Sequence, residues 1–208
     1  NYVDKTSIDS ATSGGAGIYT YSNTSGKGIL SIKSGKIVYN QSNSHGGGIK
    51  AYKGGKETVY IKGGSISNNK ADSGGGIYID GNGSTYGIVN ISGGTISNNE
   101  ATTAGGAIYQ SGKLNFSANA KIDSGSEKIN DVYLAGSSNY VTIAENNLSN
   151  STVATITPYQ WKRGNQVLDA SSDALITSNY SRFKLSDSAW RVGYYVSGTV
   201  SGDYAKRI

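Results

Sequence analysis

Two nearly identical nonamers, Ile61-Lys62-Gly63-Gly64-Ser65-Ile66-Ser67-Asn68-Asn69 and Ile91-Ser92-Gly93-Gly94-Thr95-Ile96-Ser97-Asn98-Asn99, stand thirty residues apart. Each leads into a second shared motif, Gly74-Gly75-Gly76-Ile77-Tyr78 and Gly105-Gly106-Ala107-Ile108-Tyr109. A fixed period of this size means stacked structural units, not one core folded around itself. Anchoring the units on Ile32, Ile61, Ile91 and Phe116 brings Ile37, Ile66, Ile96 and, one residue late, Ile122 to equivalent places. Asn40, Asn69 and Asn99 each fall eight residues after an anchor, and the glycine motifs then lead to Ile49, Ile77 and Ile108. An earlier copy, Gly14-Gly15-Ala16-Gly17-Ile18-Tyr19, and a degenerate later one, Asn130-Asp131-Val132-Tyr133-Leu134, bring the count to about five coils.

Each unit carries three short alternating segments, such as Val59-Tyr60-Ile61, Ser65-Ile66-Ser67 and Ile77-Tyr78-Ile79. Alternation of period two indicates strands with one face inward and one outward. Three strands per coil of about 30 residues predict a parallel β-solenoid, each strand pairing with its counterpart one coil on, about 4.8 Å away. The usual hand of parallel crossovers predicts a right-handed parallel β-helix. A propeller or sandwich would want longer strands and hairpin turns. The recurring asparagines fit a turn, where Asn tolerates left-handed backbone and bonds neighbouring amides. Stacked, they predict an amide ladder.

The chain has 208 residues with 30 glycines, one proline and 16 tyrosines. β-Branched and aromatic residues recur between the glycines, which favours short strands and tight turns over disorder. No cysteine is present, which excludes disulfides, thiol nucleophiles and zinc–thiolate sites. No apolar run is long enough to span a bilayer, so membrane insertion of this segment is not expected. The net charge of +5 is spread along the chain and accompanies no nucleic-acid-binding signature, so nucleic acid is not an expected partner. The chain lacks a start methionine and a signal peptide, which suggests a mature region or a fragment.

Composition shifts near Asn146–Asn150, where the period is lost. Both tryptophans, Trp161 and Trp190, and the only proline, Pro158, lie beyond that point. The expected division is residues 1–150 as β-helix repeats and 151–208 as a C-terminal β cap or small β module. A solenoid end exposes unpaired backbone and needs covering. Large aromatics such as the tryptophans could plug it.

The motif pair Ile66-Ser67-Asn68-Asn69-Lys70-Ala71 with Gly74-Gly75-Gly76-Ile77, and its copy Ile96 to Ala101 with Gly105-Gly106-Ala107-Ile108, resembles the Phe-x-x-Asn and Gly-Gly-Ala-Ile repeats of chlamydial polymorphic outer-membrane proteins. It is also similar to repeats of spirochaete surface and lipoprotein β-helices, where a late Asn-Asp-Val-Tyr-Leu unit, as at Asn130–Leu134, precedes a closing segment. The resemblance covers about residues 10–145, with isoleucine in place of phenylalanine at Ile37, Ile66 and Ile96. It implies an exported, right-handed β-helical protein and, on the chlamydial side, adhesion. The expected location is extracellular or at the cell surface.

Catalysis in β-helices needs clustered carboxylates, as an acid–base pair or a calcium site. Asp72, Asp80, Glu100, Asp123 and Asp131 occupy coil positions that do not stack, and Asp72 and Glu100 read as solvated turn residues. The only histidine, His45, lacks an aspartate pair. No catalytic residue, metal or cofactor is therefore expected, and the chain reads as non-enzymatic. The rivals are a polysaccharide lyase or hydrolase and a purely structural spacer. If Ile18, Ile49, Ile77, Ile108 and Val132 point inward, then Tyr19, Lys50, Tyr78, Tyr109 and Tyr133 form one outward column. Tyrosine offers a rigid amphipathic surface, and a lysine between tyrosines allows cation–π contact. These five are the expected ligand-binding residues, with host proteins or glycans as partners.

Overall fold

The inward isoleucines organise the molecule into stacked columns. In the computed structural model, residues 17–21, 28–54, 57–82, 84–145, 147–196, 199–201 and 204–206 are described, from residue 195 on as backbone alone. A first sheet of seven parallel strands comprises Ile18–Thr20, Ile49–Ala51, Ile77–Ile79, Ile108–Gln110, Val132–Leu134, Ala154–Thr157 and Phe183–Leu185. The second has six: Ile29–Ile32, Thr58–Ile61, Ile88–Ile91, Lys113–Ser117, Val141–Glu145 and Leu168–Ala170. The third has Lys36–Val38, Ser65–Ser67 and Thr95–Ser97. Within a coil the chain visits second, third and first sheet in turn, so this is a parallel β-solenoid. Counterparts pair in register, Ile61 with Ile91, Ile66 with Ile96 and Ile77 with Ile108. All six are at most 1% exposed. Phe116 takes its place beside Ile91, and Ile122 bridges to Ile96. Residues Gly14 to Ala16 of the earliest copy lie outside the described residues.

Two coils carry a fourth short strand that the alternation did not announce. Lys70–Ser73 pairs with Glu100–Ala104 just past the asparagine turn. Asp72 and Glu100, read from sequence as solvated turn residues, are therefore on this pair. Glu100 takes an ion pair from Lys70 at 2.9 Å, and Asp72 accepts a hydrogen bond from Thr102.

The asparagine ladder forms, with a division of labour. The left-handed residue is the one before each ladder position: Tyr39, Asn68 and Asn98 have φ of 56°, 56° and 53°. Asn40, Asn69 and Asn99 are thereby turned inward and buried. Asn40 Nδ2 donates to Asn69 Oδ1 at 2.9 Å, and Asn69 Nδ2 to Asn99 Oδ1 at 3.0 Å. Each Oδ1 also accepts the backbone N–H of the asparagine one coil earlier. Asn99 Nδ2 passes the chain to Asn130, whose own amide ends it on the carbonyls of Ile96 and Asp123.

The stack continues past the compositional shift at residue 150. Ala154–Thr157 pairs with Val132–Leu134, Phe183–Leu185 with Ala154–Thr157, and Leu168–Ala170 with Val141–Glu145, all parallel. Residues 151–185 are thus built on the same ladders as the repeats. Among the described residues the helical pieces are the helix Asp173–Asn179, capped by the Ser172 side chain, and the 3-10 turn Tyr180–Arg182 that follows it. Ile176 from this helix, with Leu185 and Val192, closes the core, and Tyr180 packs on Tyr194 at 4.9 Å between ring centres. Trp161 is not the plug: it is 37% exposed, with Trp190 beside it at 6.1 Å. A last sheet, Val192–Val196 between Thr199–Ser201 and Tyr204–Lys206, follows.

Asp131 is fully buried in the late unit, accepting from the Gly106 N–H and contacting the Thr157 hydroxyl, which also contacts Ser186. The Ser186 hydroxyl can donate to Thr157 Oγ1, which leaves the Thr157 hydrogen for Asp131. Burial pushes the Asp131 carboxyl above its ordinary value, against the opposing bonds from Thr157 and Gly106. A folded state that keeps a proton the unfolded chain has released loses stability as pH rises through that interval. Asp131→Asn mimics the protonated acid. Its melting temperature should gain on the wild type as pH rises above 3.8 and then level off. A pH-independent difference would mean that Asp131 is not raised.

Candidate ligand-binding face

The first sheet places the five expected residues in one column. Tyr19 pairs with Lys50, Lys50 with Tyr78, Tyr78 with Tyr109, and Tyr109 with Tyr133. Their inward neighbours Ile49, Ile77, Ile108 and Val132 are fully buried. Parallel register then leaves successive rings one strand spacing apart, the right separation for aromatic contact. Tyr78 and Tyr109 stack at 4.9 Å and 7°, and Tyr109 and Tyr133 meet at 5.4 Å and 30°. The column ends at Thr157, the partner of Tyr133.

Lys50 departs from the exposed lysine that an outward position suggests. It is 6% exposed, with Nζ 5.7 Å from the Tyr19 ring centre and 5.8 Å from that of Tyr78. Burial lowers its pKa, Lys53 adds to the shift, and Asp80 opposes it. The tyrosine hydroxyls move the other way. Burial first, then Tyr52 and nearby acids, push Tyr19 up to about 12, and burial raises Tyr78, Tyr109 and Tyr133. All four phenols hold their protons at neutral pH and can donate as well as accept.

Three further rings join the column and were not legible in the repeat. Tyr52 meets Tyr19 at 5.9 Å and Tyr21 at 5.5 Å, and Tyr21 is 63% exposed. The His45 ring lies 4.4 Å from Tyr78, its Nδ1 hydrogen-bonded to Ser44. Tyr21 is two residues beyond Tyr19, so strand alternation alone could have found it. Tyr52 stands in the same relation to Lys50, whereas His45 comes from a connection between strands, where no periodicity applies. Among the described residues, no group of three or more His, Asp or Glu is arranged to hold a metal ion. Nor is any helix there long and apolar enough to cross a membrane.

Residues 63–80 and 93–111 match the Chlamydia polymorphic membrane protein repeat. The chain resembles the chlamydial polymorphic membrane proteins. Each matched segment runs from the Gly-Gly turn through a ladder asparagine to the strand bearing Tyr78 or Tyr109. The repeat is therefore the piece that builds both the amide ladder and two rungs of the aromatic column. Proteins of that family are bacterial surface proteins, and the parallel β-solenoid agrees with the resemblance. No curated protein and no solved structure matches the chain.

Proposed function

We infer that the chain is a non-enzymatic display and adhesion module of a bacterial surface, outside the cell, contacting host proteins or glycans through the Tyr19–Lys50–Tyr78–Tyr109–Tyr133 face. The observation that carries this reading is the unbroken register of that column, with a lysine held between two rings. Rigid aromatic side chains give contact area at small entropic cost, and anchors of this type dominate interface energies. Resemblance to a surface-protein repeat adds the setting.

The test is a binding screen of the purified chain against extracellular matrix proteins and glycans, with Tyr78→Ser/Tyr109→Ser alongside. Binding that falls at least tenfold in the folded double variant supports the reading. Each lost aromatic anchor of an interface is worth about 2 kcal/mol or more. Lys50→Met separates stability from contact. It keeps the apolar stem and removes the desolvated charge, so it should melt at or above the wild-type temperature while binding more weakly. Undiminished binding by both variants would remove this face from the function.

A further inference from the structure

A different surface of the solenoid carries a second site. The outward side of the second sheet forms the floor of a groove of about 710 Å³. That volume is within the range of pockets that take small ligands, about 300–1,000 Å³. The connection holding Tyr86 contributes one part of the lining and the Ser138–Tyr140 connection another. Along the floor, register aligns Asn115, Thr142 and Asp169 in one row across three coils, and the same row continues beyond the groove at Asn90. Asn115 Nδ2 donates to Asn90 Oδ1 at 2.8 Å, and Lys113 Nζ stands 4.5 Å from the Tyr86 ring centre.

Gln110 marks this groove as more than a surface depression. It lines the groove, occupies the inward position that holds Ala51, Ile79 and Leu134 in neighbouring coils, and is 1% exposed. Its Nε2 donates to the carbonyls of Tyr140 at 2.7 Å and Gly112 at 3.3 Å. Its Oε1 accepts nothing from the protein. The two carbonyls fix the amide orientation, because a flipped amide would face them with oxygen. An apolar residue at this position is what the neighbouring coils use. A buried acceptor without a donor is costly, and such groups in folded proteins call for an explanation.

We propose that this groove binds a neutral oligosaccharide lying along the solenoid axis, with Gln110, Asn115, Thr142 and Asp169 meeting its hydroxyls and Tyr86 and Tyr140 its ring faces. Hydroxyl groups both donate and accept, which suits a row of amide, hydroxyl and carboxylate side chains. The floor row repeats at the strand spacing of about 4.8 Å, close to the length of one sugar ring, so successive units meet successive rungs. Asp169 is the only carboxylate residue lining the groove among the described residues. Glycoside cleavage uses a carboxylate pair, so the groove is suited to holding a glycan rather than cutting it. The floor of this site is on a different sheet from the tyrosine column; Gln110 alone comes from a first-sheet strand, where its side chain points to the opposite face from that of Tyr109.

The experiment titrates the isotopically labelled full chain with cellohexaose, xylohexaose and chitohexaose, and separately with a heparin hexasaccharide and a poly-glutamate peptide. Shifts of the Gln110 side-chain amide and of residues 86, 113–115 and 140–142 by at least one neutral hexasaccharide are expected. Tyr140→Ala and Asn115→Ala should each weaken that binding about tenfold, equivalent to one lost hydrogen bond or stacking contact. Asn115→Ala serves as the second probe should Tyr140→Ala fail to fold. Tyr78→Ser/Tyr109→Ser should leave it unchanged, which separates the groove from the tyrosine face. No shift with any neutral hexasaccharide, or shifts at these residues only with heparin or the acidic peptide, would overturn the proposal.

Discussion

Asn99→Leu should lower the unfolding free energy by about 2–5 kcal/mol, although leucine has the same branched heavy-atom skeleton as asparagine. The cost comes from the groups left behind. Asn99 Oδ1 accepts both the backbone N–H and the Nδ2 of Asn69, while its Nδ2 donates to the Ile66 carbonyl and to Asn130 Oδ1. Leucine leaves the Asn69 N–H and the Ile66 carbonyl buried without these partners, at about 1–3 kcal/mol for each orphaned group. Asn68→Gly is the control. It changes the residue at φ 56°, where glycine is at ease, and leaves the ladder in place. Its effect should stay within about 1 kcal/mol. Chemical denaturation of the three proteins decides: equal midpoints for Asn99→Leu and wild type would mean that the ladder is not a source of stability.

The second large effect is Ile66→Asp. Ile66 is 1% exposed, between Ile37 and Ile96 in the third sheet. A carboxylate there has no partner and no water, so the loss should exceed about 4 kcal/mol and leave little folded protein. The same exchange at Ile29 should be nearly silent. Ile29 is 72% exposed, and surface substitutions usually stay within about 0.5 kcal/mol. Thermal melts followed by circular dichroism would show the contrast. Similar melts for the two variants would contradict the inside–outside assignment of the strands.

Much of this architecture was legible because one structural unit is written several times. Alternation around Ile61, Ile66 and Ile77 gave strand faces, the period gave the pairing partner, and together they gave the tyrosine column. Legibility failed where the physical rule has no sequence signature. Val153 to Ile156 and Arg182 to Leu185 read as strands from the sequence, but their place in the first sheet was not legible there, because parallel pairing requires only compatible backbone and no glycine motif. All four residues of Ala154–Thr157 are buried, which erases the alternation. Asn130 extends the ladder from a unit whose spacing differs, so counting from the anchors missed it. The groove was missed entirely. Its floor depends on the register of four strands and its flanks on connections, and Gln110 has meaning only once its inward position is known.

Because neighbouring coils pair in parallel, their hydrogen bonds run along the long axis of the stack. Tension applied along that axis would load one coil boundary at a time, opening it like a zipper instead of shearing many bonds together. Each released coil of about 30 residues frees about 100 Å of extended chain, against about 4.8 Å of rod length lost. A tethered module built this way can lengthen greatly under load while the coils still stacked keep their faces, and any ligand on them, in place.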